Sequence, residues 1–151
     1  MAMKFRSARG LDLALKKTFR AIRAEVRREL QRGALRIEAT AAESIIEQTP
    51  GGRSYPSRGR KGRMHTASPP GSPPNADTGE LHTGITTVTT ADTPSRVEVQ
   101  TGTNTPYAAY LEFGTSKMEP RPFMGPAFDQ HVAGTRDRVR AAVTRGARKS
   151  K

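Results

Sequence analysis

The chain is 151 residues long, carries 26 Lys and Arg against 14 Asp and Glu for a formal charge of +12, and contains no cysteine. One domain is the most this length supports, and the missing thiols exclude disulfides, thiolate chemistry and Cys-based zinc sites. Leu, Ile, Val and Phe together supply only 24 residues, short of the roughly 20% below which highly charged chains tend to disorder, so a folded protomer is expected to gain stability by burying surface against copies of itself or a partner.

The first ten residues run into a charged helical pattern with no apolar signal-peptide core, and no later stretch approaches a membrane span. The expectation is a protein made and kept in a cytosol, without membrane contact. Leu11, Leu15, Phe19, Ile22, Val26, Leu30, Ile37, Ala41 and Ile45 follow at helical steps, several of them recurring every eleven residues. That period keeps the stripe on one face of a nearly straight helix. Residues 1–48 therefore read as the long-helix segment, in which residues 11–48 as one helix would span about 57 Å, against a radius of gyration of about 15 Å for a compact chain of this size. Either it bends at Gly33, which fills a slot in the stripe, or it protrudes; Pro50 and Gly51-Gly52 end it in both cases.

Residues 49–79 are dense in Pro, Gly and Ser and carry Arg53, Arg58, Arg60, Lys61 and Arg63 against the single acid Asp77. So little apolar surface predicts a basic extended arm that becomes ordered on a neighbouring subunit. Residues 80–144 hold the rest of the fold. The β-branched run Ile85 to Thr90 and the alternating Arg96 to Gln100 predict an antiparallel hairpin, with Val97 and Val99 facing the core. Tyr107 to Phe113 reads as a short helical turn stopped by Gly114. A helix from Pro126 follows, with Phe128, Val132, Val139 and Val143 on one side. Residues 145–151 read as a frayed basic tail. The fold class is α+β: a long N-terminal and a C-terminal helix packed on a small antiparallel sheet, with a long extended loop.

Chemistry is hard to place on this chain. His65, His82 and His131 fall in different segments, none with a partner at metal-helix spacing. The sequence contains no G-x-S-x-G elbow and no phosphate-binding G-x-x-x-x-G-K-[ST] loop. No catalytic, metal or cofactor-binding residue is assigned. The basic excess says more: Lys16, Lys17, Arg20, Arg23, Arg27 and Arg28 flank the apolar stripe, whereas Glu38, Glu43 and Glu47 reverse the sign further along. The flank is a candidate surface for DNA phosphates or an acidic partner, competing with a plain solvated helix face. Ser57 to Arg63 loosely resembles the Arg-Gly-Arg arms of minor-groove binders, although docking on protein suits it equally.

Pro106-Tyr107-Ala108, Glu112-Phe113-Gly114-Thr115 and Arg121-Pro122-Phe123-Met124-Gly125-Pro126-Ala127 together resemble the signature of the HK97 gp10-like tail-component family of tailed phages. Upstream, Ser68 to Pro74 and Asp77-Thr78-Gly79-Glu80-Leu81 with Ile85 resemble that family's P-G-x-P-P and D-T-G-x-L stretches; Gly84, Pro120 and Gly125 depart from the residues usual there. The resemblance implies a tail-completion or head-tail joining protein in the virion neck, assembled in the host bacterial cytoplasm. It would form a homo-oligomeric ring, expected to be a hexamer, between the portal-adaptor complex and the tail of a siphophage-like particle or gene-transfer agent. DNA would cross the lumen with non-specific contact only. A tail terminator and a stand-alone non-specific DNA-binding protein are the alternatives. The signature itself reads as a structural corner: Gly114 ends the short helix, Phe123 plugs the core, and Glu112 is expected to pair with Arg121.

Overall fold

The computed structural model describes residues 8–59 and 61–149. The fold is α+β, with two long helices and two small two-stranded antiparallel sheets. Helix α1 spans Ala8–Ile46, 39 residues without interruption, about 58 Å at 1.5 Å per residue. No proline interrupts it, and neither terminus carries a charge that complements the helix dipole. Its stability must therefore come from what packs against it.

That packing comes mainly from the C-terminal helix, labelled α4 and spanning Met124–Lys149, which runs antiparallel to α1. Thr40 Oγ1 meets His131 Nε2 at 2.7 Å near one end, and Lys149 Nζ meets Glu25 Oε1 at 2.7 Å near the other. Two glycines let the helices close. A Cβ on Gly33 would lie 2.4 Å from the Thr135 side chain, and one on Gly146 would lie 2.4 Å from the Ile22 Cα. Gly33 and Gly146 thus mark close approach, eleven residues apart on each helix when counted through Ile22 and Thr135. α1 does not break at Gly33; the missing side chain makes room for the neighbour.

Between the helices the chain forms strands β1 (Ser54–Pro56) and β2 (Met64–Thr66), a one-turn helix α2 (Glu80–Thr83), strands β3 (Ile85–Asp92) and β4 (Val97–Thr103), and the short helix α3 (Ala108–Phe113). β3 and β4 pair from Ile85↔Thr103 to Asp92↔Val97, with an irregularity between Thr89 and Ala91. The hairpin lies on α1: Thr101 Oγ1 donates to the Ala34 carbonyl at 3.2 Å, and Gln31 Nε2 donates to Thr89 Oγ1 at 3.2 Å. Residue alternation puts Ile85, buried, on the inner face and Val88, exposed, on the outer one.

The apolar core is small and sits at the C-terminal end of α1. Ala41, Ile45, Leu81, Ile85, Ala108, Phe123 and Ala127 form it, with Ile37, Leu111 and Met124 packed around them.

Two sequence expectations need correction. Residues 49–59 and 61–79 are ordered on their own chain, through polar bonds in place of apolar burial. Asn75 accepts from the Thr49 amide and donates to the carbonyls of Thr49 and Thr66. Ala76 donates to the Ile45 carbonyl, and Asp77 accepts from the Ser57 hydroxyl and the Arg58 amide. The Ser57 hydroxyl beside it holds the Asp77 carboxyl below its ordinary pKa. Residues 145–149 are not a frayed tail either: α4 continues through them, because Arg145 and Lys149 bind carboxylates on α1.

Candidate functional site

The residues of the resembling signature gather at one corner, where α3 turns into α4. Gly114 closes α3 at φ 75°, and a Cβ there would come within 2.8 Å of the Met118 carbonyl. Only glycine fits both constraints. Thr115 and Met118 then bond each other in a tight turn, N to O at 2.7 Å. Phe123, 2% exposed, plugs the core, and Pro126 lies within the first turn of α4.

Glu112 has a different partner from the one expected. Its carboxylate accepts from the amides of Phe123 at 2.9 Å, Met124 at 3.0 Å and Gly125 at 2.8 Å. These are orphan donors at a helix start, where an anion also meets the positive end of the dipole. Glu112 is therefore a cap supplied from another helix. Arg121 turns the other way: its Nε donates to the Ser68 carbonyl at 3.1 Å and its amide to the Leu111 carbonyl at 2.7 Å. Gly125 suits this arrangement, since a Cβ there would sit 3.0 Å from Glu112 Oε1. Gly71 donates to the Pro120 carbonyl at 2.9 Å, tying the proline-rich stretch to the same corner. Tyr107 lies beside Thr78 and Glu80, where burial and then the Glu80 charge push its pKa up. Signature stretches far apart in sequence thus meet in space.

The candidate DNA-facing flank of α1 is partly neutralised. Lys16 pairs with Asp12 at 2.8 Å, Arg27 with Asp92 at 2.8 Å, Arg23 with Asp92 at 3.6 Å and Arg28 with Glu25 at 3.1 Å. Among the described residues Lys17 and Arg20 have no carboxylate within ion-pair distance. In the arm, Arg53, Arg58, Lys61 and Arg63 are exposed, and Arg60 lies outside the described residues.

A second charged feature runs along the α1–α4 seam. Glu25 and Glu29, 5% and 6% exposed, are buried between the helices. Lys149 and Arg28 hold Glu25, while Arg145 at 2.8 Å and Arg32 at 3.3 Å hold Glu29. The Lys149 ammonium beside Glu25 holds its carboxyl below the ordinary glutamate range. Arg36 and Arg138 complete the lining of an open cleft of about 470 Å³. In the sequence the two glutamates only offset a basic helix; the available signal was Glu25/Glu29 and Arg145/Lys149, each pair four residues apart on its own helix.

The apolar surface is unevenly covered. Leu11, Leu15 and Phe19, the last 64% exposed, form a bare ridge near the start of α1. Phe128 at 50% and Val143 at 44% are exposed, and Ala127, Ala142 and Gly146 supply the buried positions of α4. Phe128, Val132 and Val139 instead line an open apolar groove of about 720 Å³ with Leu30, Val99 and the 81% exposed Phe113.

His65 stacks edge-on against Tyr55 at 5.3 Å, and His82 and His131 lie apart from it. Among the described residues no three His, Asp or Glu side chains could hold a metal ion, and no helix is long and apolar enough to cross a membrane. Comparison with protein-family models, with curated proteins and with solved structures finds no match.

Proposed function

We propose that the protein is a structural component of a tailed-phage-like particle or gene-transfer agent. In this reading it forms a homo-oligomeric ring at the head-tail junction and joins the portal-adaptor complex to the tail. The observation that carries the ring is the separation of an apolar ridge (Leu11, Leu15, Phe19) from an apolar groove (Phe113, Phe128, Val132, Val139) on one protomer. A ridge and a groove on different parts of one surface are the elements of a head-to-tail contact, which closes into a ring when the rotation allows. The neck assignment is supported by the resembling stretches, which pack into a single corner built around Gly114, Glu112 and Phe123.

Light scattering after size exclusion, with electron microscopy of the same fractions, tests the reading. A closed ring of fixed copy number, or a protomer that joins purified neck or tail-tube fragments, is the expected result. A solitary molecule that associates with neither itself nor those fragments ends it. DNA passing through such a ring should be held weakly and without sequence preference, because tight binding would impede passage. Tight binding to one sequence that survives moderate salt would favour a stand-alone DNA-binding protein instead.

A further inference from the structure

The α1–α4 seam holds a ladder of facing charges whose last rung is mismatched. Glu25 faces Lys149 at 2.7 Å, and Glu29 faces Arg145 at 2.8 Å, four residues further along one helix and four residues back along the other. Seven residues further along α1 and seven back along α4 come Arg36 and Arg138. Both line the cleft, together with Arg32 and Arg28, so that six cations surround two carboxylates. Those two carboxylates are already engaged by Lys149, Arg28, Arg145 and Arg32. Arg36 has no carboxylate within ion-pair distance among the described residues. Arg138 gives only one Nη to Thr135 Oγ1, at 3.4 Å, and its Nε is buried with no hydrogen-bond partner.

Six cations gathered around two carboxylates repel one another, and an anion among those with unused donors offsets that repulsion. We infer that this end of the cleft binds a phosphate group, held by Arg36, Arg138 and Arg32. Guanidinium donors match tetrahedral oxyanions in a two-pronged fashion, which a random solvated helix face does not provide. The cleft is open to solvent, and the ladder on its far side fixes the two helices that carry these arginines. The phosphate can belong to a DNA backbone or be free; the donor chemistry is the same. The site lies on a single protomer and does not require that a ring form.

The test uses the full chain and two probes, inorganic phosphate and a short DNA duplex, each compared with chloride at equal ionic strength. Melting temperature and duplex affinity are read for the wild type and for Arg36→Gln and Arg138→Gln, with Lys117→Gln, in the exposed turn after α3, as a control. Phosphate should raise the wild-type melting temperature beyond chloride, and both cleft variants should lose that increment while Lys117→Gln keeps it. Without phosphate the cleft variants should melt at or above the wild-type temperature, since they lower the excess positive charge of the cleft; a purely structural arginine would do the reverse. If the duplex stabilises the protein and inorganic phosphate does not, the DNA backbone is the source. In that case each cleft variant should weaken duplex binding about threefold to tenfold and lower the salt slope by about one. Absence of any effect from both probes, or effects that survive both cleft variants, would overturn the site. Particle size measured on the same samples reports ring formation separately.

Discussion

Glu112 shows how one side chain can set the direction of an element it does not belong to. Three amides at the start of α4 converge on its carboxylate, so removing the charge and removing the acceptor have different consequences. Glu112→Gln retains one oxygen and should lower stability by about 1 kcal/mol, whereas Glu112→Ala leaves all three donors without this partner and should cost about 2–4 kcal/mol. Urea denaturation of the two variants checks the order, and equal losses would remove the capping role. Glu25 carries a pH dependence. Its folded pKa is depressed, first by the Lys149 hydrogen bond, so the stability it contributes is present above the unfolded value of about 4.3. That contribution is lost as pH falls through the lower folded value. Thermal melts over an acid series should therefore fall more steeply for the wild type than for Glu25→Gln, and identical slopes would argue against the seam as an acid-sensitive contact.

At the scale of elements, the contest is between the intrinsic cost of glycine in a helix and the closeness of a neighbour. Gly134 and Gly146 both lie in α4. A Cβ at Gly134 would meet only the flexible Arg138 side chain at 3.4 Å, whereas one at Gly146 would sit 2.4 Å from the backbone of α1. Gly134→Ala should stabilise by up to about 1 kcal/mol through helix propensity alone. Gly146→Ala should destabilise by about 1–3 kcal/mol, because the helices must part. Calorimetry on the pair decides it, and the same sign for both would show that propensity outweighs packing. These glycines also explain what could be read from the sequence and what could not. The spacing from Leu11 to Ile45 announces α1, and the β-branched run after Gly84 announces β3, because each pattern reports its own local geometry. The buried face of α4 is built from Ala127, Ala142 and Gly146, which a search for large apolar residues passes over in favour of Phe128 and Val143. The ordered arm was hidden for a related reason: Asn75 and Asp77 hold it through bonds to residues distant in sequence. Glu112 and Arg121 both lie at the corner, but their partners are backbone groups of other segments, which side-chain complementarity does not reveal.

At the scale of the molecule, the core lies at one end of the long helix pair and the unburied apolar surface elsewhere. Ala41, Ile45 and Phe123 close one end, the charged seam occupies the middle, and the Leu11, Leu15 and Phe19 ridge extends beyond both. Exposed aromatic side chains add little to the stability of a free protomer but contribute strongly when covered by a partner. Phe19→Ser and Phe128→Ser should therefore leave protomer melting within about 0.5 kcal/mol of wild type. Each should nevertheless reduce the assembled fraction, the first by removing the ridge and the second by removing a wall of the groove. If the contact is head to tail, mixing the two variants restores at most one kind of intact junction, a Phe128-bearing groove against a Phe19-bearing ridge, so that chains stop at pairs. Light scattering of each variant alone and of the mixture reads this directly. Two variants of unchanged assembled mass would show that neither surface joins subunits, and a mixture that assembles as fully as wild type would exclude head-to-tail closure through these faces.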